Sequence, residues 1–448
     1  MSRAKPPEAL AKVKQLKAYL YPFEQLMANY LQGLQEIPGL FSAYQESRKT
    51  YFSQFLDNTK IPGIEALYTE IPVSKPSAIG DTIDDIPGRY DEYGVRKNRI
   101  LDILLALYGE VFEQHKLLRF NYYRHKDADD WMIENKINYL KSIRKISKDK
   151  GKGFDYLQPV FASQHLNQKG NLAGLHIKVR ALLGLKHVLK PVLTTDVLTE
   201  KQSRLISDRA LASKIKWLSG DSQHEAVPVI SDFKPGKWTE NTLPTRLPVF
   251  SDSIFKEGIK LDNYRLVRSA QKDTMICFMH APDNKLWILA KEATFDKAAL
   301  YAHQFCNTLS QLNQLCEDFH IIEHLLLRPR GPKENDVLAS DHLFINNRIS
   351  ILFPSWTTRF SDNAFRKFAE ETIQRNLPAH VFAQFYWLDF SPMQRFEKYY
   401  KDWLYLMQQL NQAQDHEAVL FPQLNQVSAQ IISFLNQYRQ EGGRDYWL

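Results

Sequence analysis

The sequence predicts an α+β multidomain protein with a helical N-terminal region, a ferredoxin-like βαββαβ domain and helical C-terminal segments. Three observations carry this. Apolar residues recur at helical spacing through most of residues 1–185 and again after residue 391. β-rich runs and helical patterns alternate from Leu286 to Leu388 in the order β-α-β-β-α-β. A length of 448 residues fits two to four domains at roughly 150 residues each. The division expected is 1–185 helical, 186–263 loop-rich with short strands, 264–390 α+β, and 391–448 helical.

The first element is an amphipathic helix over Lys12 to Leu34. Leu16, Tyr19, Leu20, Phe23, Leu26, Met27, Tyr30, Leu31 and Leu34 share its apolar side, and Pro38-Gly39 ends it. Ser42 to Leu56 is aromatic-rich and also reads as helix. Glycines and prolines make Lys60 to Gly94 a loop. Helices follow at Arg96 to Leu118, Ala128 to Ser147 and Leu175 to Leu183, the last stopped by Gly184. The middle region lacks a sustained period.

From residue 264 the pattern changes. Thr274 to His280 and Leu286 to Lys291 flank a turn cluster, which predicts a hairpin. A helix is expected over Asp296 to Phe319, a strand over His320 to Leu327 and another over Arg348 to Phe353. Ser361 or Asp362 caps a helix over Asn363 to Leu377, and a strand over Ala379 to Leu388 closes the domain. Between strand and helix, Trp356 and Phe360 are expected to dock the helix on the sheet. Ser391-Pro392 opens a helix whose face holds Phe396, Tyr399, Tyr400, Trp403, Leu404, Met407 and Leu410. A last helix runs from Pro422 to Tyr438.

Composition narrows the function classes. Glycine is scarce, 18 of 448, against a usual ~7%, which leaves few turns able to cradle phosphate. Aromatic residues reach 12%, which favours large buried or interface surfaces. The 58 basic and 51 acidic residues give a net charge of +7, a mild excess for this length. Cys277, Cys306 and Cys316 form neither a disulfide framework nor a Cys-x-x-Cys pair, so a reducing compartment is expected. Neither a secretory leader nor a membrane-spanning run is evident. No dinucleotide fingerprint or nucleophile elbow occurs, so no catalytic residue, cofactor or metal ligand is assigned.

Two motifs need weighing. His320-Ile321-Ile322-Glu323-His324 matches an inverted zinc-protease signature. That chemistry needs both imidazoles on one helical face. On a strand, positions four apart are separated by about 13 Å and cannot share a zinc ion. The favoured reading is a sheet strand, with a zinc hydrolase as a remote alternative. Lys141, Arg144, Lys145, Lys148, Lys150 and Lys152 form a basic patch. Basic residues followed by glycine suit a helix C-terminus, and no RNA-binding motif accompanies them. A nucleic-acid-associated protein using residues 141–152 is the runner-up function.

Several segments carry a resemblance. These are Tyr19 to Leu31 (YLYPFEQLMANYL), Thr50 to Phe55 (TYFSQF), Arg99 to Leu118 (RILDILLALYGEVFEQHKLL), Lys150 to Tyr156 (KGKGFDY), Asn171 to Gly184 (NLAGLHIKVRALLG), Ile321 to Pro329 (IIEHLLLRP) and Ile349 to Val381 (ISILFPSWTTRFSDNAFRKFAEETIQRNLPAHV). Together they resemble the baseplate wedge proteins of phage-tail-like contractile injection systems, the larger kind encoded beside a baseplate J-like protein. Tyr264 to Leu309 also resembles small ββα modules inserted in such proteins. The resemblance implies a structural subunit without catalytic residues. Its partners would be the J-like protein, the hub and spike, and the sheath, in six wedges. It would assemble in the cytoplasm into a particle that is released or docked at a membrane. From the helix faces, the candidate interface residues are Tyr19, Phe23, Met27 and Tyr30 at the N-terminus. Tyr399, Trp403 and Met407 are their C-terminal counterparts.

Overall fold

The structure, a computed structural model, describes residues 7–43, 48–54, 88–123, 128–148, 154–156, 171–186, 194–200, 205–212, 217–218, 226–228, 250–268, 274–280, 285–331, 347–412 and 417–439. It mixes helices with small sheets. The chain divides into two compact units, one of Met1–Phe112 with Lys126–Lys141, the other of Glu113–His125 with Ser142–Leu448. The boundaries read from the sequence at 263/264 and 390/391 both fall inside the second unit, and the helical region 1–185 is shared between the two.

The first unit contains α1 (Pro7–Leu40) and α2 (Tyr93–Ala106). The helix expected over Arg96 to Leu118 stops at Ala106 and resumes as α3 (Gln114–Arg119), which belongs to the second unit. Gly109 explains the stop. Its φ of +69° lets the Glu110 N–H reach back to the Leu105 carbonyl at 3.1 Å, a left-handed helix ending. α4 (Ala128–Ile143) follows, and all but its last two residues complete the first unit. Leu101 and Leu105 of α2 and Trp131, Met132 and Tyr139 of α4 are buried. Phe112 meets Tyr139 edge to face. Buried Lys97 donates to the carbonyls of Leu40 at 2.6 Å and Ser42 at 3.0 Å, which fixes the C-terminal end of α1. The helix expected over Ser42 to Leu56 is not formed: 42–43 and 48–54 are irregular, and the remainder lies outside the described residues. Those residues spend their polar groups on side chains instead, for Asp91 accepts from the Thr50 N–H at 2.6 Å and the Tyr51 N–H at 3.1 Å.

In the second unit a π turn over Arg144–Lys148 precedes α5 (Gly174–Leu182), α6 (Asp196–Glu200) and α7 (Asp208–Ala212). α5 ends as the sequence predicts, on Gly184 at φ +62°. β1 (Leu205–Ile206), β2 (Trp217–Leu218), β3 (Ala226–Pro228) and β4 (Phe250–Ser251) are the short strands of the middle region, and α8 (Asp252–Glu257) follows them. β5 (Tyr264–Arg268), β6 (Thr274–His280) and β7 (Lys285–Glu292) form an antiparallel sheet in the order β2-β7-β6-β5-β3. The β6–β7 hairpin is as expected, with Phe278 opposite Trp287; its turn lies outside the described residues. α9 (Phe295–Cys316), capped by the Thr294 hydroxyl, covers this sheet. Phe250, Phe255, Tyr264, Ile276, Phe278, Phe305 and Leu309 are buried together there.

β8 (His320–Glu323), β9 (Arg348–Pro354), α10 (Asn363–Asn376) and β10 (Phe382–Leu388) complete the predicted order, but not the predicted sheet. β7 pairs with β6 and β2, while β8, β9 and β10 make a separate three-stranded sheet in the order β10-β9-β8. Moreover β9 and β10 are parallel, joined through α10, whereas a ferredoxin-like sheet is antiparallel. Two features explain the difference. The short hairpin fixes β7 beside β6, and β2 takes its other edge. β9 is buried from Ile349 to Pro354, so both of its faces are covered, the condition under which parallel pairing occurs. The strand expected to reach Leu327 stops at Glu323 and becomes a 3-10 turn over His324–Leu327.

α11 (Phe390–Gln412) starts two residues before Pro392, with Asp389 rather than Ser391 in the capping position: its carbonyl accepts from the Met393 N–H at 2.9 Å. α12 (Glu417–Gln437) packs against α11. Met393, Phe396, Trp403, Leu424, Ile431 and Leu435 form a core with Ile322, Leu352 and Tyr386 of the three-stranded sheet. Trp356 and Phe360 are buried as expected, Trp356 against Phe255 and Phe390, Phe360 against Phe353 and Phe365.

Candidate functional site

The N-terminal helix contradicts the usual sense of an amphipathic helix, which turns its apolar side to its own chain. α1 has no buried residue along 34 positions, about 51 Å of helix. Between Tyr21 and Glu36 its half-buried residues are Tyr21, Gln25, Ala28, Asn29, Gln32, Gly33 and Glu36, a largely polar stripe; Ala9, Gly39 and Leu40 are half-buried towards the helix ends. Gln54 holds that stripe: the Gln25 side-chain amide donates to its carbonyl at 2.5 Å, and its N–H donates to Asn29 Oδ1 at 3.0 Å. The apolar side faces away from these contacts. Val13, Leu16, Leu20, Phe23, Met27, Tyr30, Leu34 and Ile37 are 43–63% exposed, and Tyr19 is 69% exposed. Scattered exposed apolar residues need no explanation; here the exposed apolar residues form a continuous stripe among the described residues.

Tyr19, Phe23, Met27 and Tyr30, the N-terminal candidates, are all exposed on this side. The C-terminal trio lies differently. Trp403 and Met407 are 1% and 4% exposed and belong to the core with α12, and half-buried Tyr399 packs against the same core. Their aromatic face is consumed within the chain, so they are not interface residues of this surface. Of the basic patch, Lys141 and Arg144 are exposed and Lys145 is half-buried; the side chain of Lys148, and all of Lys150 and Lys152, lie outside the described residues.

The His320/His324 motif proves to be part of a buried polar hub. His320 Nε2 meets Glu397 Oε1 at 2.8 Å, and His324 Nε2 meets Ser350 Oγ at 2.7 Å. The two imidazoles thus have separate partners, and Glu323 is exposed. Among the described residues no group of three His, Cys, Asp or Glu is placed to hold a metal ion. Glu397 also accepts from the Thr194 N–H at 2.6 Å and the Thr195 N–H at 2.9 Å, which ties α11 to the turn before α6.

Immediately before β8, Glu317 and Asp318 are 1% exposed. Asp318 meets His176 Nε2 at 2.9 Å and accepts from Arg180, both on α5. Glu317 pairs with Arg359 at 3.1 Å and accepts from the Tyr123 hydroxyl. Arg359 donates further to the carbonyls of Leu183 at 3.2 Å and Gly184 at 3.1 Å.

The electrostatics follow from burial against pairing. Burial pushes the Asp318 carboxyl up, but Arg180 and His176 outweigh it and hold the group well below the usual carboxylate range. Glu397 is likewise lowered: burial opposes, while His320 and the Thr195 donors prevail. At Glu317 burial wins over Arg359 and raises the group. Burial also depresses His176, against the pull of Asp318. Each charge is answered by a partner from another element, and the arrangement ties α5, α9, β8 and α11 together. The sequence reading missed Glu317, Asp318, His176, Arg180, Arg359 and Glu397. The available signal was a charged residue inside an otherwise apolar helical face, as Arg180 is in Leu175 to Leu183.

A comparison with protein-family models finds no match. A comparison with curated proteins finds none either. Among the described residues no helix is long and apolar enough to cross a membrane.

Proposed function

We propose that this chain is a structural wedge subunit of a contractile injection particle. It works by stoichiometric assembly with a J-like partner around the hub and spike, and links the baseplate to the sheath. The observation that carries the assembly role is the inverted setting of α1, polar stripe towards its own chain and apolar stripe outward. A helix in this setting leaves an apolar area that no described residue covers, the kind of surface that binding to another molecule buries. The wedge identity comes from the resembling segments. Three of them supply the exposed helix and hub residues: Tyr19 to Leu31 lies in α1, Asn171 to Gly184 holds His176 and Arg180, and Ile349 to Val381 holds Arg359.

The test is co-production with a baseplate J-like protein from the same genome. The two are expected to co-purify, and the double variant Leu20→Glu/Met27→Glu is expected to lose the partner while keeping its fold. A wild-type chain that stays separate from the J-like protein and is missing from sheared particles would sink the reading.

A further inference from the structure

We propose that the apolar stripe of α1 is built to refuse a second copy of this chain and to accept a different helix, one with carboxylates beside Lys12 and Lys17 and a cation beside Glu24. This rests on the assembly reading above and specifies the chemistry of the partner.

Val13, Leu16, Leu20, Phe23, Met27, Tyr30, Leu34 and Ile37 are spaced alternately by three and four residues. That is an unbroken a/d repeat of the kind that supercoils left-handedly against another helix. All eight are exposed, so the seam is free of this chain's own packing among the described residues. Pro22 falls at a c position, on the side away from the seam. The positions flanking the seam are Lys12, Tyr19, Leu26 and Gly33 on one side and Lys17, Glu24, Leu31 and Pro38 on the other.

Flanking charges decide which partner fits. In a parallel pair of copies, each g position faces the partner's e position five residues on. Lys12 then faces Lys17 of the mate, and this happens twice. In an antiparallel pair, e positions face e positions. The alignment that covers all eight seam residues sets Glu24 against Glu24 of the mate. Sliding by one heptad brings Lys17 to Glu24 but leaves Leu34 and Ile37 uncovered. Self-pairing is thus penalised in both directions, by charge or by lost apolar contact. A helix of complementary charge has neither cost.

The experiment uses the full-length chain and synthetic 28-residue heptad peptides, in parallel and antiparallel designs, with Leu and Ile at a and d. One set carries Glu opposite Lys12 and Lys17 and Lys opposite Glu24; the control set carries the opposite charges. Expected results are a wild-type chain that sediments as a monomer at tens of micromolar and binding of the complementary peptide about tenfold tighter than its control. Lys12→Glu, which turns the parallel clash into an attraction, should promote self-association by a similar factor. Equal affinity for the two peptide sets overturns the proposal. So does a wild-type dimer that Leu20→Glu/Met27→Glu dissolves, or seam-dependent binding to phosphatidylserine vesicles in place of the peptides. Loss of the J-like interaction with this charge preference intact would instead count against the wedge reading alone.

Discussion

At the scale of single residues, Asp318 holds two buried partners at once. It is 1% exposed between His176 and Arg180, and removing its charge strands the Arg180 guanidinium in the interior. Breaking a buried pair from one side costs about 3–5 kcal/mol, more than replacing the whole pair does. Asp318→Asn should therefore lower the unfolding free energy by about 3 kcal/mol in urea titration. A loss below about 1 kcal/mol would show that the pair contributes little. The same groups set the acid response. Asp318 and Glu397 are lowered, so their contribution is complete above the ordinary carboxylate range of about 4 and drains as pH falls through it. His176 is also lowered, so the unfolded chain takes up its proton first, and stability begins to fall below about pH 6.5. Glu317 is raised and opposes this trend in the acid range. Between pH 7 and 5 the histidine lowers stability as the pH falls, and Glu317 works against it. His176→Asn should flatten that part of the pH–stability curve, and an unchanged slope would refute the assignment. A steric case is Gly258: an added Cβ would collide with the Ile254 carbonyl and the Leu309 side chain, while Tyr264 donates to the Gly258 carbonyl at 2.6 Å. Gly258→Ala should cost about 1–3 kcal/mol through overpacking.

At the scale of elements, the sequence was legible wherever local chemistry decides the outcome. Asp362 caps α10, Gly184 ends α5, and the β6–β7 hairpin forms where the turn cluster places it. It was illegible where partners are chosen over distance. Nothing in the β7 run Lys285–Glu292 states that β2 will occupy its free edge, and β9 and β10 read as strands without revealing their parallel pairing. Periodicity alone also fixes that a helix is amphipathic without fixing which side meets the chain. α1 and α11 look alike in sequence, yet α11 buries Phe396, Trp403 and Met407 while α1 exposes Phe23, Met27 and Tyr30. Hence the candidate residues divide: the N-terminal ones lie exposed on the surface, and of the C-terminal ones Trp403 and Met407 are spent in the core. The exposed setting of α1 has a direct consequence. Leu20→Glu/Met27→Glu should leave the unfolding midpoint within the usual ±0.5 kcal/mol of a surface change, and reduce binding of an apolar dye to the native chain. A large loss of stability would mean that the seam is packed in the free protein.

At the scale of the whole molecule, the two units differ in how they are held. The second has two aromatic cores and a buried ionic hub between helices and sheets. In the first, α1 is kept by polar contacts at Gln25, Asn29 and Leu40 and buries none of its own residues. Helical stability in proteins comes mainly from packing an apolar face, so α1 alone should open far more readily than α9 or α11. Covering its seam with a partner helix would supply the missing packing. Hydrogen exchange separates the states. In the isolated chain, α1 amides should exchange at least about a hundredfold faster than those of α11, a gap of about 2.7 kcal/mol in opening free energy. On addition of the J-like partner the gap should close for Val13 to Ile37, with little change in α11, whose apolar face is already buried. Protection of α1 in the isolated chain equal to that of α11 would mean that the exposed stripe needs no partner, and the assembly role would then lose its physical basis.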